Sequence, residues 1–172
     1  MDVYTIMEKK GSLDNIKIAY VGDGNNVARS LAFLCAKLKV SYTAASPEDY
    51  ELTAEFLKEV AEATNGSNTC IELISDPKEA VKDADVIYTD TWISMGEEGE
   101  AEIKRNHFNG FQVNSDLISH AKSDTLVMHC LPAHRGEEIT DDVIDSQNSI
   151  VYDQAENRLH VQKALLKLLI CK

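Results

Sequence analysis

Three short runs in this chain combine residue types that can grip and react with a small polar molecule. The first is Met128-His129-Cys130-Leu131-Pro132-Ala133-His134-Arg135-Gly136-Glu137-Glu138. Leu126-Val127-Met128 has the pattern of a buried strand, and Pro132 and Gly136 force a loop after it. Cys130 is therefore expected at the carboxyl end of a strand, where open α/β sheets place their ligands. A thiol there could be a nucleophile with His129 as its base. Adjacent strand residues point to opposite faces, however, which separates the two side chains and leaves His129 as a core or supporting group. Cys130 could instead accept a hydrogen bond from an attacking amine and orient it. His129, Cys130 and His134 are metal-ligand types, but the Pro turn gives them no regular spacing, and no metal is expected.

The second run, Asp90-Thr91-Trp92-Ile93-Ser94-Met95-Gly96-Glu97, follows the apolar stretch Val86-Ile87-Tyr88. A lone carboxylate at a strand end, Asp90, suits a ligand ammonium. Ser94 and the Met95 N–H can donate to a carboxylate, so one loop could hold both charged ends of an amino acid. The plainer readings are a cap or turn for Asp90, an ordinary turn for Ser94-Met95-Gly96, and packing for Trp92. Glu97, Glu98 and Glu100 form a solvated face.

The third run is Gly22-Asp23-Gly24-Asn25-Asn26-Val27, between a strand and a helix. It has two glycines of a dinucleotide-binding G-x-G-x-x-G, but Val27 stands where the third belongs. The acid that should end the next strand is also missing. Asn25 or Asn26 can cap the helix, and an amide at a helix N-terminus can also help bind a carboxylate. Arg158, in Asp153-Gln154-Ala155-Glu156-Asn157-Arg158-Leu159-His160, could reach a carbonyl or phosphate oxygen in the same crevice. The plainer reading pairs it with Glu156 at the surface.

Strand and helix patterns alternate along the chain. Strands are expected at Ile16–Val21, Val40–Thr43, Cys70–Ile74, Val86–Thr89 and Leu126–His129, with a sixth at Ser149–Tyr152. A helix follows the first strand through Val27, Leu31, Leu34, Cys35 and Leu38. Ser46-Pro47 is expected to start another, which Asn65-Gly66 closes. Asp76-Pro77 starts a short one, and the last runs from about Ala155 to Ile170. This alternation predicts an α/β fold: an open, mostly parallel, Rossmann-like sheet with helices on both faces. Strand order stays open.

The 172 residues suit one core. With Lys+Arg 17 against Asp+Glu 29 and a formal net charge of -12, neither nucleic acid nor an anionic membrane is expected as partner. Cys35, Cys70, Cys130 and Cys171 lack paired spacing, and no secretory leader pattern is visible. Reduced thiols and a cytoplasmic location are expected. Cys35 falls on an apolar helix stripe, and Cys171 is expected to be inert. Asn65-Gly66-Ser67 is read as a turn. The Val3, Ile6 and Met7 stripe and the Leu165, Leu168 and Leu169 face are expected to lie uncovered, which would favour self-association.

Taken together, Gly-Asp-Gly-Asn-Asn at 22–26, Asp-x-Trp-x-Ser-Met-Gly at 90–96, His-Cys-Leu-Pro at 129–132 and Asp-Gln-Ala-Glu-Asn-Arg at 153–158 resemble the amino-acid-binding half of ornithine carbamoyltransferases. The resemblance covers nearly the whole chain. It implies that Asn26, Asp90, Ser94 and Met95 hold L-ornithine, and that Cys130, the Leu131 backbone and Arg158 surround the reacting carbon. The implied reaction is attack of the neutral ornithine δ-amine on carbamoyl phosphate, giving L-citrulline and phosphate without a cofactor. Asp90 would bind the α-amino group, Cys130 would position and deprotonate the δ-amine, and Arg158 would polarise the carbonyl.

Such enzymes also carry a carbamoyl-phosphate domain with a Ser-Thr-Arg-Thr-Arg loop and a His-Pro-x-Gln segment, and this chain has neither motif. Residues 1–14 are then expected to be a remnant of an inter-domain helix and linker. Residues 15–172 would be the ornithine-binding domain, inactive alone and needing the other domain to bind carbamoyl phosphate. Family members are trimeric, with contacts mainly in that other half. The alternatives are an amino-acid-binding module without catalysis and a nicotinamide-dependent oxidoreductase domain.

Overall fold

The strands are built from residues that alternate between two apolar layers, as a sheet buried on both faces requires. A computed structural model describes residues 1–64, 70–94, 96, 99 and 101–170. Its strands are β1 (Lys17–Val21), β2 (Ser41–Ala45), β3 (Ile71–Ile74), β4 (Val86–Thr89) and β5 (Leu126–His129). All pair in parallel in the order β3-β2-β1-β4-β5. Ile18, Tyr20, Tyr42, Val86, Tyr88 and Met128 face one core; Ala19, Val21, Ala45, Ile87 and Val127 face the other.

Helices cover both layers. α1 (Asp2–Lys10), α2 (Asn26–Leu38) and α3 (Ala54–Ala63) pack on the first, with Cys35 fully buried as expected. α4 (Pro77–Val81), α6 (Ser115–Ile118) and α7 (Asp141–Ile144) pack on the second. α5 (Ala101–His107) follows the loop after β4, and α8 (Val151–Ile170) closes the chain against α1 and β5. No described helix is long and apolar enough to cross a membrane. The order puts β1 beside β4, so the chain reverses direction there. Their carboxyl ends form the crevice where doubly wound sheets bind ligands.

Three expectations change. The helix after β2 does not start at Ser46-Pro47. Asp49 takes a left-handed φ of 73°, and the Tyr50 carbonyl accepts the Gly24 N–H at 2.7 Å, so this segment is a loop tied to the β1–α2 turn. The helix waits for Thr53, whose hydroxyl caps Phe56 N–H. The sixth strand is reduced to a single bridge, Val127 with Ser149, because Val151 already begins α8. Val3 and Ile6 are buried in the core rather than exposed, because α1 packs against α8; Met7 stays exposed. Asn157 of α8 helps fix that contact, donating to Thr5 Oγ1 and Glu8 Oε2. The expected turn at Asn65-Gly66-Ser67, the acidic face at Glu97, Glu98 and Glu100, and Cys171 lie outside the described residues.

Candidate active site

The first wall of the crevice is the β1–α2 turn. Gly24 is required there by close approach: a Cβ would sit 2.7 Å from the Glu51 carbonyl carbon. The space a dinucleotide would need beside this glycine is filled by the chain's own backbone, which argues against the nicotinamide reading. Asn25 is the N-cap of α2; its Oδ1 accepts Val27 N–H at 2.9 Å and Ala28 N–H at 3.1 Å. Its Nδ2 then points across the crevice and donates to Asp90 Oδ2 at 3.0 Å. Asn25 is thus both the cap and a part of the site, while Asn26 stands exposed at the mouth.

Asp90 lies just past β4 and is buried. Its Oδ1 accepts the Thr91 N–H at 2.8 Å and the Cys130 thiol at 2.8 Å. Three donors therefore converge on one carboxylate, and each still leaves room for a ligand cation, since a carboxylate offers about four lone-pair sites. Burial first, and then the neighbouring Asp90 charge, push the Cys130 thiol well above its usual range. At neutral pH Cys130 is a thiol that donates to Asp90. In that form its sulfur is occupied as a donor to Asp90, and burial does not favour a thiolate base there.

His129 is fully buried, but strand alternation does not separate it from Cys130: β5 ends at His129, and a ring nitrogen lies within 4.8 Å of the Cys130 sulfur. Its Nδ1 accepts the Leu131 N–H at 2.9 Å, so the hydrogen sits on Nε2, which donates to Glu138 Oε1 at 3.0 Å. This bond occupies the Leu131 N–H. Asp90, His129 and Cys130 have ligand-type atoms close together, but both His129 ring nitrogens are already committed to these bonds. Gln154 of α8 accepts the His129 N–H at 3.1 Å and donates to the Tyr88 hydroxyl at 2.9 Å. It fixes the first turn of α8 to the ends of β4 and β5.

The expected residues fall into two adjoining cavities. Asn26, Asp90, Ser94, Arg105, Pro132 and His134 line one of about 710 Å³. Cys130, Leu131, Pro132 and Arg158 line a second of about 540 Å³. Arg158 therefore does not enter the Asp90 cavity but lies across Pro132 from it, exposed and, among the described residues, without an ion pair; Glu156 pairs with His160 instead. Met95 lies outside the described residues. Trp92 is buried against Phe108, as expected, with ring centroids 5.4 Å apart.

The sequence reading missed Gln154's role, Arg105 and the Lys104–Asp23 ion pair. That pair joins α5 to the β1–α2 turn at 2.6 Å, with side chains only 6% and 13% exposed. No local signal marks it, because its partners stand 81 residues apart.

A doubly wound parallel sheet, with an amide, a carboxylate and a thiol meeting beside its switch-point crevice, defines a ligand-binding α/β domain. Within that class the chain belongs to the aspartate/ornithine carbamoyltransferase family, whose Asp/Orn binding domain matches residues 14–169. It is 57% identical over 169 residues to the ornithine carbamoyltransferase of Pyrococcus horikoshii, covering 98% of this chain and 53% of that protein. With the Bacillus subtilis enzyme it shares 52% over 171 residues, covering 99% and 54%. The solved ornithine carbamoyltransferase of Pyrococcus furiosus superposes with a TM-score of 0.89 at 58% identity, over 97% of this chain and 53% of that one. The chain thus spans about half the length of the relatives it matches.

Proposed function

We propose that this chain is the ornithine-binding part of an ornithine carbamoyltransferase, which joins L-ornithine and carbamoyl phosphate to give L-citrulline and phosphate. The observation that carries the reading is Asp90, a buried carboxylate held by Asn25 and Cys130 at the switch point of the sheet. A carboxylate so placed binds the α-ammonium, and the adjoining Asn26 and Ser94 offer donors for the α-carboxylate. We also assign Met95 to that carboxylate. The sulfur of Cys130 faces both ways in this scheme: it donates its hydrogen to Asp90 and presents lone pairs that orient the δ-amine. The amine must be neutral to attack, so its proton passes to solvent water first; the new C–N bond then forms as the carbamoyl C–O bond to phosphate breaks, and the second proton of the attacking nitrogen leaves to the released phosphate.

Arg158 and Leu131 flank the second cavity with Cys130. Arg158, a guanidinium without an ion pair among the described residues, would polarise the carbonyl of the carbamoyl group and offset charge growing on its oxygen. The Leu131 N–H is engaged by His129, so its carbonyl is the backbone group offered to the substrate. Carbamoyl phosphate would be held chiefly by a separate anion-binding domain, and no cofactor takes part. Residues 1–14 would lead into the ornithine-binding domain at 15–172. The free thiols of Cys35, Cys70 and Cys130 suit a cytoplasmic setting.

Calorimetry with L-ornithine, its analogue norvaline and L-aspartate tests this reading. Ornithine and norvaline should bind, and aspartate should bind less well, because its second carboxylate would approach an acidic crevice. Equal or better binding of aspartate would overturn it.

A further inference from the structure

We propose that His134, Glu137 and Glu138 form a binding site for a divalent transition-metal ion such as Zn2+ at the rim of the crevice. One imidazole nitrogen and one oxygen from each carboxylate lie within 4.8 Å of one another. This set shares only His134 with the His129, Cys130 and His134 grouping that the Pro turn argued against, and takes all its ligands from the turn beyond Pro132.

Glu138 supplies the strongest reason. Its side chain is 0% exposed. Oε1 is satisfied, accepting from His129 Nε2 at 3.0 Å and from the His134 backbone N–H at 2.6 Å. Oε2 is equally buried and has no hydrogen-bond partner among the described residues. It lies 3.9 Å from His134 Nδ1. A buried carboxylate oxygen left bare is costly, and its common explanation is a bound water or ion.

The turn is held in place before any ion arrives. The Glu137 N–H donates to the His134 carbonyl at 2.9 Å, and the Gly136 N–H to the Ile139 carbonyl at 2.8 Å. Gln112 Nε2 donates to the carbonyls of Gly136 and Glu137 at 2.9 and 2.8 Å. Glu137 Oε1 meets Arg105 at 3.0 Å, so an ion would use its other oxygen or displace the guanidinium. A nitrogen and two carboxylate oxygens form a donor set for Zn2+ or Co2+ rather than for a soft, thiolate-seeking ion. The net charge of -12 favours a cation generally.

Co2+ titration of the 172-residue chain, followed by visible absorption with the thiols kept reduced, tests the proposal. One equivalent should bind and produce ligand-field bands without a thiolate-to-cobalt charge-transfer band. His134 is half exposed and Glu137 part-exposed, so His134→Ala and Glu137→Gln should keep the fold. Loss of an outer-shell partner alone costs roughly 10–100-fold in metal affinity, so each variant should weaken Co2+ binding at least that much. A thiolate charge-transfer band would place the ion at a cysteine and overturn the site. So would unchanged affinity in both variants, or no binding by the wild type. None of these outcomes depends on whether the crevice binds ornithine.

Discussion

The Cys130 sulfur lies 2.8 Å from Asp90 Oδ1, so a thiol from the end of β5 donates to a carboxylate from the end of β4. The same carboxylate takes the Asn25 amide from the start of α2. One acid thus ties together the turns after three different strands, and it adds to burial in favouring the protonated thiol.

Asp90→Asn removes that charge and keeps the shape. Hydrogen bonds to charged groups contribute about 1.5–3 kcal/mol, so ornithine or norvaline binding should weaken by roughly 10–100-fold. The thiol should respond in the other direction. Asp90 is the second cause, after burial, of its raised pKa, so alkylation of Cys130 should begin at lower pH in the variant. Calorimetry and peptide mapping of alkylated cysteines read the two effects. Equal affinity in both proteins would remove Asp90 from the amino-acid site.

Stability should fall on the alkaline side. Burial, with a smaller push from Cys70, raises the Cys35 thiol from 9.0 to about 12. A folded-state pKa above the unfolded one gives stability that is complete below pH 9 and is lost as the pH climbs toward 12. In that window one such group contributes a slope of roughly 1.4 kcal/mol per pH unit. Cys130 and the buried tyrosines Tyr20, Tyr42 and Tyr88 shift the same way. Denaturant titrations from pH 8 to 11 should show the decline, and Cys35→Ala should make it shallower. An unchanged slope would mean that Cys35 ionises as freely in the folded chain as in the unfolded one.

Lys104→Met should destabilise the chain by about 3 kcal/mol, since it removes a 2.6 Å ion pair from a mostly buried carboxylate. The double variant Lys104→Met, Asp23→Asn should recover part of that loss, because the carboxylate charge that Lys104 faced is removed as well. Urea midpoints of the single and double variants measure the difference. A double variant no better than the single would show that the pair acts mainly through packing, including Lys104 over the Tyr50 ring.

Carbamoyl transfer by these 172 residues alone should be close to nil. Positioning and charge stabilisation of the phosphate each supply several kcal/mol of rate enhancement, and the Ser-Thr-Arg-Thr-Arg loop that resemblance assigns to that task is not in the sequence. A citrulline assay on chain freed of host enzyme decides it, and robust turnover would show that the anion site is built from other residues.

The purified chain should also self-associate in a concentration-dependent way. Leu165, Leu166, Leu168, Leu169 and Ile170 at the end of α8 are exposed, Leu168 at 77%. Apolar surface of this kind favours association between copies. Leu165→Glu with Leu169→Glu should shift light scattering toward the monomer; a wild-type monomer at high concentration would contradict the expectation.

What the sequence determined by itself was local. Val27, Leu31 and Cys35 mark α2 because helical spacing needs only a few turns of chain. Asp76-Pro77 marks the start of α4 because Asp76 caps the very next N–H groups, accepting from Lys78 at 2.8 Å. Each of Asp90, Cys130 and the 22–26 turn could be placed at a strand end, and resemblance supplied a role for them. Ser46-Pro47 failed as a helix start because a tertiary bond, Gly24 to Tyr50, outweighed the local signal. The sixth strand failed because docking of α8 on α1 and β5 took Val151 into the helix. Tertiary structure alone decided the strand order, and the order decided the site: with β1 between β2 and β4, Asn25 meets Asp90 across 65 residues, and β5 beside β4 brings Cys130 to it across 40. Hydrogen bonds at such separations leave no periodicity in the chain, because they depend on which strands become neighbours and not on what stands next to each residue.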